Sequence, residues 1–124
     1  RSRADSAVPQ ADVLLVNPTH YSVALRYDAD KADAPYVISE GVDELALYMR
    51  EVAQRNDVEI IEIPALARAI YYSTKIEQQI PAALFVAIAH VLSYVLQIKA
   101  ARTGTQDKPE PLPHFYIPPH LRHD

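Results

Sequence analysis

The chain contains no cysteine. That excludes disulfides, thiolate metal sites and cysteine nucleophiles together, and it fits a reducing compartment. It also lacks any run of lysine or arginine, and the formal net charge is −4. A phosphate-tracking nucleic-acid surface is therefore not expected. Arg1-Ser2-Arg3 carries no secretory signal and reads as a cut end, with a longer protein expected upstream. What the chain does have is apolar character, at 49% of its 124 residues. That suffices for one domain with a modest core and is too much for general disorder.

The sequence is organised around residues 11–27. Val13-Leu14-Leu15-Val16 is a continuous apolar run, the pattern of a strand buried on both faces. Tyr21, Val23, Leu25 and Tyr27 alternate with Ser22, Ala24 and Arg26, the pattern of a strand buried on one face. Between them stands Asn17-Pro18-Thr19-His20. Asn-Pro is a turn signal, and proline cannot donate to a strand ladder. A tetrapeptide that interrupts strong strands in this way is expected to store strain for a purpose.

Elsewhere, residues 1–10 read as a frayed or linker-like helix, and residues 28–35 as an acidic solvated loop. Tyr36-Val37-Ile38 is a short strand. Ser39-Glu40-Gly41 opens a helix whose stripe is Val42, Leu45, Ala46, Met49, Val52 and Ala53, with Asp43 and Glu44 at its positive end. Residues 58–63 are a β-branched strand stopped by Pro64, and residues 65–73 a helix with Leu66, Ala69 and Ile70 inward. From Pro81 to about residue 101 runs the longest helix, with Leu84, Ile88, Val91, Leu92 and Val95 on one face. Residues 82–98 hold no formal charge and approach the length of a membrane span. His90, Ser93, Tyr94 and Gln97 interrupt them, so a buried amphipathic helix is the better reading. The expected fold class is α/β, a mixed four-stranded sheet packed by three to four helices in a single small domain. Its strands fall at about 12–17, 19–27, 36–38 and 58–63, and its helices at about 42–56, 65–73 and 81–101. The division of the chain is then a linker over 1–10, the α/β domain over 11–102, and a flexible Pro-rich tail over 103–124. Phe115, Tyr116, Ile117 and Leu121 give that tail apolar anchors, for a partner or for the domain itself.

Asn17-Pro18-Thr19-His20 in this setting resembles the self-cleaving site of the export-switch proteins of type III secretion, the FlhB/YscU family. Pro64-Ala65-Leu66-Ala67-Arg68-Ala69-Ile70-Tyr71 resembles the family's Pro-x-Leu-Ala-Arg-x-Leu-Tyr segment, and Ile80-Pro81 before a long apolar helix resembles its Ile-Pro helix start. The likeness covers roughly residues 11–100, and Asn17 to Asp28 is closer to the flagellar branch. The resemblance implies cleavage between Asn17 and Pro18, which permits a change from early rod/hook-type to late filament-type export substrates. It implies a place on the cytoplasmic face of the bacterial inner membrane, with the membrane reached through an upstream segment outside this chain. The implied partners are the export gate membrane protein, export substrates and a hook-length ruler protein.

The chemistry needs no cofactor, no metal and no turnover on external substrates. The Asn17 side-chain amide attacks its own carbonyl carbon, closes a succinimide and expels the Pro18 nitrogen. A gain of about five to six powers of ten over a flexible peptide corresponds to about 7–8 kcal/mol. Fixed near-attack geometry alone supplies about 7–11 kcal/mol. Pro18 keeps the preceding residue extended and gives a tertiary amide that distorts more easily. Thr19 is assigned a loop-holding side-chain hydrogen bond, and His20 an orienting or proton-transferring role. Because the two pieces share one sheet, they are expected to stay together after the cut. Arg68, inside a family-like motif, is a candidate for a partner surface.

Other constellations carry less. His114, His120 and His123 cluster in the tail without carboxylate partners, and read as solvated rather than as a metal site. Asp12, His20 and Ser22 suggest a hydrolytic triad, but no nucleophile elbow accompanies them. The reading from another class is a non-cleaving interaction module on the same fold, binding exported proteins through loop 28–35 or the Pro-rich tail.

Overall fold

Strand β1 (Val13–Asn17) is buried along its whole length and occupies an interior place in the sheet. The computed structural model describes residues 2–18 and 20–123. β1 pairs antiparallel with β2 (Tyr21–Arg26) and parallel with β4 (Ile60–Glu62), and β2 pairs antiparallel with β3 (Tyr36–Val42). The order β3-β2-β1-β4 is a mixed four-stranded sheet, as the pattern of residues predicts. Four helices cover it: α1 (Ser2–Ala7), α2 (Asp43–Arg55), α3 (Pro64–Ser73) and α4 (Phe85–Arg102). The outer edge of β3 is not left open, because the Val37 N–H donates to Gln78 and the Val37 carbonyl accepts from Glu77.

Successive strand residues face opposite ways, and each set has its own core. Val13, Leu15, Val23, Leu25 and Val37 pack with Leu66 and Ile70 of α3 and with Ile88, Val91 and Val95 of α4. Leu14, Val16, Ala24 and Ile38 pack with Met49, Val52 and Ala53 of α2 and with Ala4 and Val8 at the N-terminal end. The result is a three-layer arrangement, helices on both faces of the sheet.

Three expectations are corrected here. β2 is buried on both faces, not one: Ser22 and Ala24 are inaccessible, and the Ser22 hydroxyl donates to the Ala46 carbonyl at 2.9 Å. Small residues at these positions let α2 approach closely. β3 runs to Val42, so Ser39-Glu40-Gly41 is strand rather than helix start. Gly41 has a packing reason, since a Cβ there would sit 2.6 Å from Leu45 Cγ. The expected α2 stripe therefore loses Val42 and Leu45, both more than a third exposed. The last helix begins with a 3-10 turn (Ala82–Leu84) after Pro81 and becomes α-helical at Phe85. One stripe of it is buried, Ala87, Ile88, Val91 and Val95, while Val86 and Leu96 stay exposed.

The Pro-rich segment takes the second of its two courses and folds back on the domain. Ile117 and Leu121, the latter closing the 3-10 turn Pro119–Leu121, are buried with the α3 and α4 side chains, and Leu112 and Phe115 pack against them. Apolar anchors at this spacing let an extended segment lie down on an apolar surface.

Candidate functional site

Asn17 and Tyr21 are the last pair of the β1–β2 ladder, so the chain reverses direction between them. The loop is closed by the His20 main-chain N–H, which donates to the Asn17 carbonyl at 3.0 Å. This bond falls on the carbonyl that cyclisation would attack. A fixed N–H there polarises the carbon and offers one donor to the oxyanion of the tetrahedral intermediate. Asn17 itself is buried, and its side-chain Nδ2 donates to the Pro64 carbonyl at 3.4 Å. That bond is long and weak, so it does not bind the amide nitrogen strongly. Pro64 is brought there by the parallel β1–β4 pair, where the Ile63 N–H donates to the Val16 carbonyl at 3.2 Å.

His20 lies on the exposed side of the turn. Its Nδ1 is 3.6 Å from Asp43 Oδ1, and its main-chain carbonyl accepts the Asp43 N–H at 3.0 Å. Thr19, assigned a loop-holding hydrogen bond, lies outside the described residues. Among the described residues of the turn, Asn17, Pro18 and His20 have no positive φ, whereas Asp43, across from His20, has φ 50°, a region that aspartate enters more readily than most L residues.

An aromatic group stands behind the loop. The Tyr21 and Tyr72 hydroxyls are 2.8 Å apart, Tyr71 packs against both rings, and His123 stacks on Tyr72 with centroids 4.4 Å apart. The Tyr72 hydrogen bond and burial raise the Tyr21 phenol above its ordinary value, and the nearby Arg68 charge opposes them. Arg68 is thus half-buried on α3 beside Tyr21. Glu40 stands opposite Val23 on the face that α3 covers. Burial pushes its carboxyl up to about 7, and its Oε1 has no hydrogen-bond partner among the described residues. Glu40, Asp43 and Pro64 escaped sequence reasoning as site residues; only Pro64 had a signal, its place at the head of a family-like motif.

The triad geometry does not assemble. Ser22 is spent on Ala46, and Asp12, at the far end of the hairpin, accepts the Tyr27 N–H at 2.7 Å. At that far end an open, mostly apolar hollow of 330 Å³ is lined by Tyr27, Ala34, Pro35, Phe85, Ala89 and Leu92, with Asp33 its one charged residue.

Residues 1–95 match the family described as FlhB HrpN YscU SpaS. The chain is 45% identical to the flagellar biosynthetic protein FlhB of Escherichia coli over 95% of its own length and 31% of that protein's. It is 49% identical to FlhB of Salmonella typhimurium, over 84% of this chain and 27% of the relative. Among solved structures, the cytoplasmic domain of FlhB from Shewanella putrefaciens superposes with a TM-score of 0.93 at 46% identity, covering 98% of this chain and 95% of that one. A mutated EscU C-terminal domain superposes with a TM-score of 0.73 at 26% identity, covering 77% and 95%. The chain thus spans about a third of the length of the curated relatives it matches.

Proposed function

The chain belongs to the FlhB, HrpN, YscU and SpaS family, on its flagellar FlhB-like side, and from that premise we propose that it cleaves itself between Asn17 and Pro18 and so controls which substrates an export apparatus accepts. The reading is carried by one observation: a buried asparagine whose main-chain carbonyl is held by the His20 N–H in a proline turn between two buried strands.

In the step proposed, Nδ2 of Asn17 bonds to the Asn17 carbonyl carbon, and the carbon–nitrogen bond to Pro18 breaks. One Nδ2 proton passes, by way of His20 or water, to the departing Pro18 nitrogen. Water then opens the succinimide, leaving a carboxylate on one fragment and a secondary amine on the other. β1, in the first fragment, remains between β2 and β4, so the fragments stay associated and only the loop is released. The rest of the reading follows the family: the cytoplasmic face of the inner membrane, reached through an upstream membrane part. The partners are an export gate membrane protein, export substrates and a hook-length ruler protein, with Arg68 on a partner surface.

Asn17→Ala tests this. It should leave the fold intact and abolish both the cut and the substrate switch. A second reading, a non-cleaving module that binds exported proteins, is favoured by the apolar hollow at the end of loop 28–35. Normal export switching in an uncut Asn17→Ala strain would select it.

A further inference from the structure

We propose that Asp43 is a positioning residue for His20 in the cleavage of Asn17–Pro18, a role that rests on the cleavage reading above and adds to it a residue from outside the loop. Two groups of Asp43 meet two groups of His20. The Asp43 N–H donates to the His20 carbonyl at 3.0 Å, and Asp43 Oδ1 lies 3.6 Å from His20 Nδ1. Both contacts come from one residue at the β3–α2 junction, where φ is 50°. Among the described residues, two other non-glycine positions have positive φ, and each has a local reason. Asp57 follows the C-terminal end of α2, where a left-handed residue ends a helix, and Glu77 donates its N–H to Val37 at 2.7 Å. Asp43 differs in touching the turn.

The surroundings fix this contact in place. Tyr21↔Val42 is the terminal pair of the β2–β3 ladder, which brings residue 43 level with residue 20. Gly41 lets the first turn of α2 pack closely on β3, since a Cβ there would meet Leu45. The downstream half of the turn is thereby tied to α2 through His20, as the upstream half is tied to α3 through Asn17 and Pro64. With Nδ1 facing the carboxylate, Nε2 is the nitrogen offered for proton transfer between the Asn17 amide and the Pro18 nitrogen. Asp43 touches neither reacting atom and acts through the ring.

Self-cleavage of the full chain, followed by denaturing mass after cell-free synthesis, provides the test. Asp43→Asn keeps a residue type that tolerates the left-handed region. It should slow cleavage about two- to fivefold, the range that an exposed ion pair commands. Asp43→Glu should recover at least half of that loss. In a His20→Ala background the same Asp43→Asn change should have no effect. Equal slowing in both backgrounds, or none in the His20 chain, would overturn the role of Asp43 alone. A wild-type chain that stays uncut would overturn the cleavage reading and this role with it.

Discussion

Asn17 supplies both nucleophile and electrophile, and its two polar groups are held by different parts of the fold: the carbonyl by His20, the amide by Pro64. The role of His20 is open to direct measurement at this scale. His20→Ala should slow cleavage by about 10²-fold or more, the lower range for a lost acid–base group. A full rate would remove proton transfer from the account. Glu40 gives a separate expectation about stability. Its folded carboxyl is held up to about 7 by burial, while in the unfolded chain it titrates at the ordinary value. Between the ordinary carboxylate value and about 7 the folded state therefore keeps a proton that the unfolded state has lost, so stability falls as pH rises across that window and levels off above it. Glu40→Gln should raise stability at pH 8 by about 1 kcal/mol, since solvent reaches part of the group and screens the cost. That gain should vanish near pH 4, measured as the shift in urea midpoint.

Among the elements, β1, α3 and most of the buried stripe of α4 could be read directly, from a short apolar run bounded by a turn signal and from three-and-four spacing. β2 and β3 misled for a common reason. Ser22, Ala24 and Gly41 look like solvent or turn positions, yet each is small because a helix packs against it. That information lies in the tertiary contact and not in the local pattern. Gly41→Ala follows from this argument. The added Cβ would meet Leu45 near its backbone end, at 2.6 Å from Cγ and 3.1 Å from Cβ. It should destabilise the fold by about 1–3 kcal/mol and, by shifting the start of α2, should slow cleavage as well. An unchanged urea midpoint would show that the junction relaxes freely.

For the whole molecule, the loop was legible in the sequence and its supports were not. Asn17 to His20 stood out because a proline interrupted two strong strands, whereas Asp43 and Pro64 reach the loop only through the sheet order β3-β2-β1-β4. The Pro-rich segment was ambiguous for the same reason, since its anchors had no visible surface until α3 and α4 were placed side by side. Ending the chain after Arg102 removes the burial of Ile117 and Leu121. Two such side chains contribute about 3–6 kcal/mol gross, offset by the entropy of ordering the segment. The net loss should be about 1–3 kcal/mol, with cleavage retained because no tail residue touches the turn among the contacts described.

The central claim is that one chain becomes two pieces that remain one particle. Denaturing and native masses, taken on the same purified sample, test it most directly. The account predicts two denatured species meeting at Asn17 and Pro18, and a single native species of their summed mass. One uncut denatured species would contradict self-cleavage, and two separate native species would contradict the continued hold of the sheet on β1.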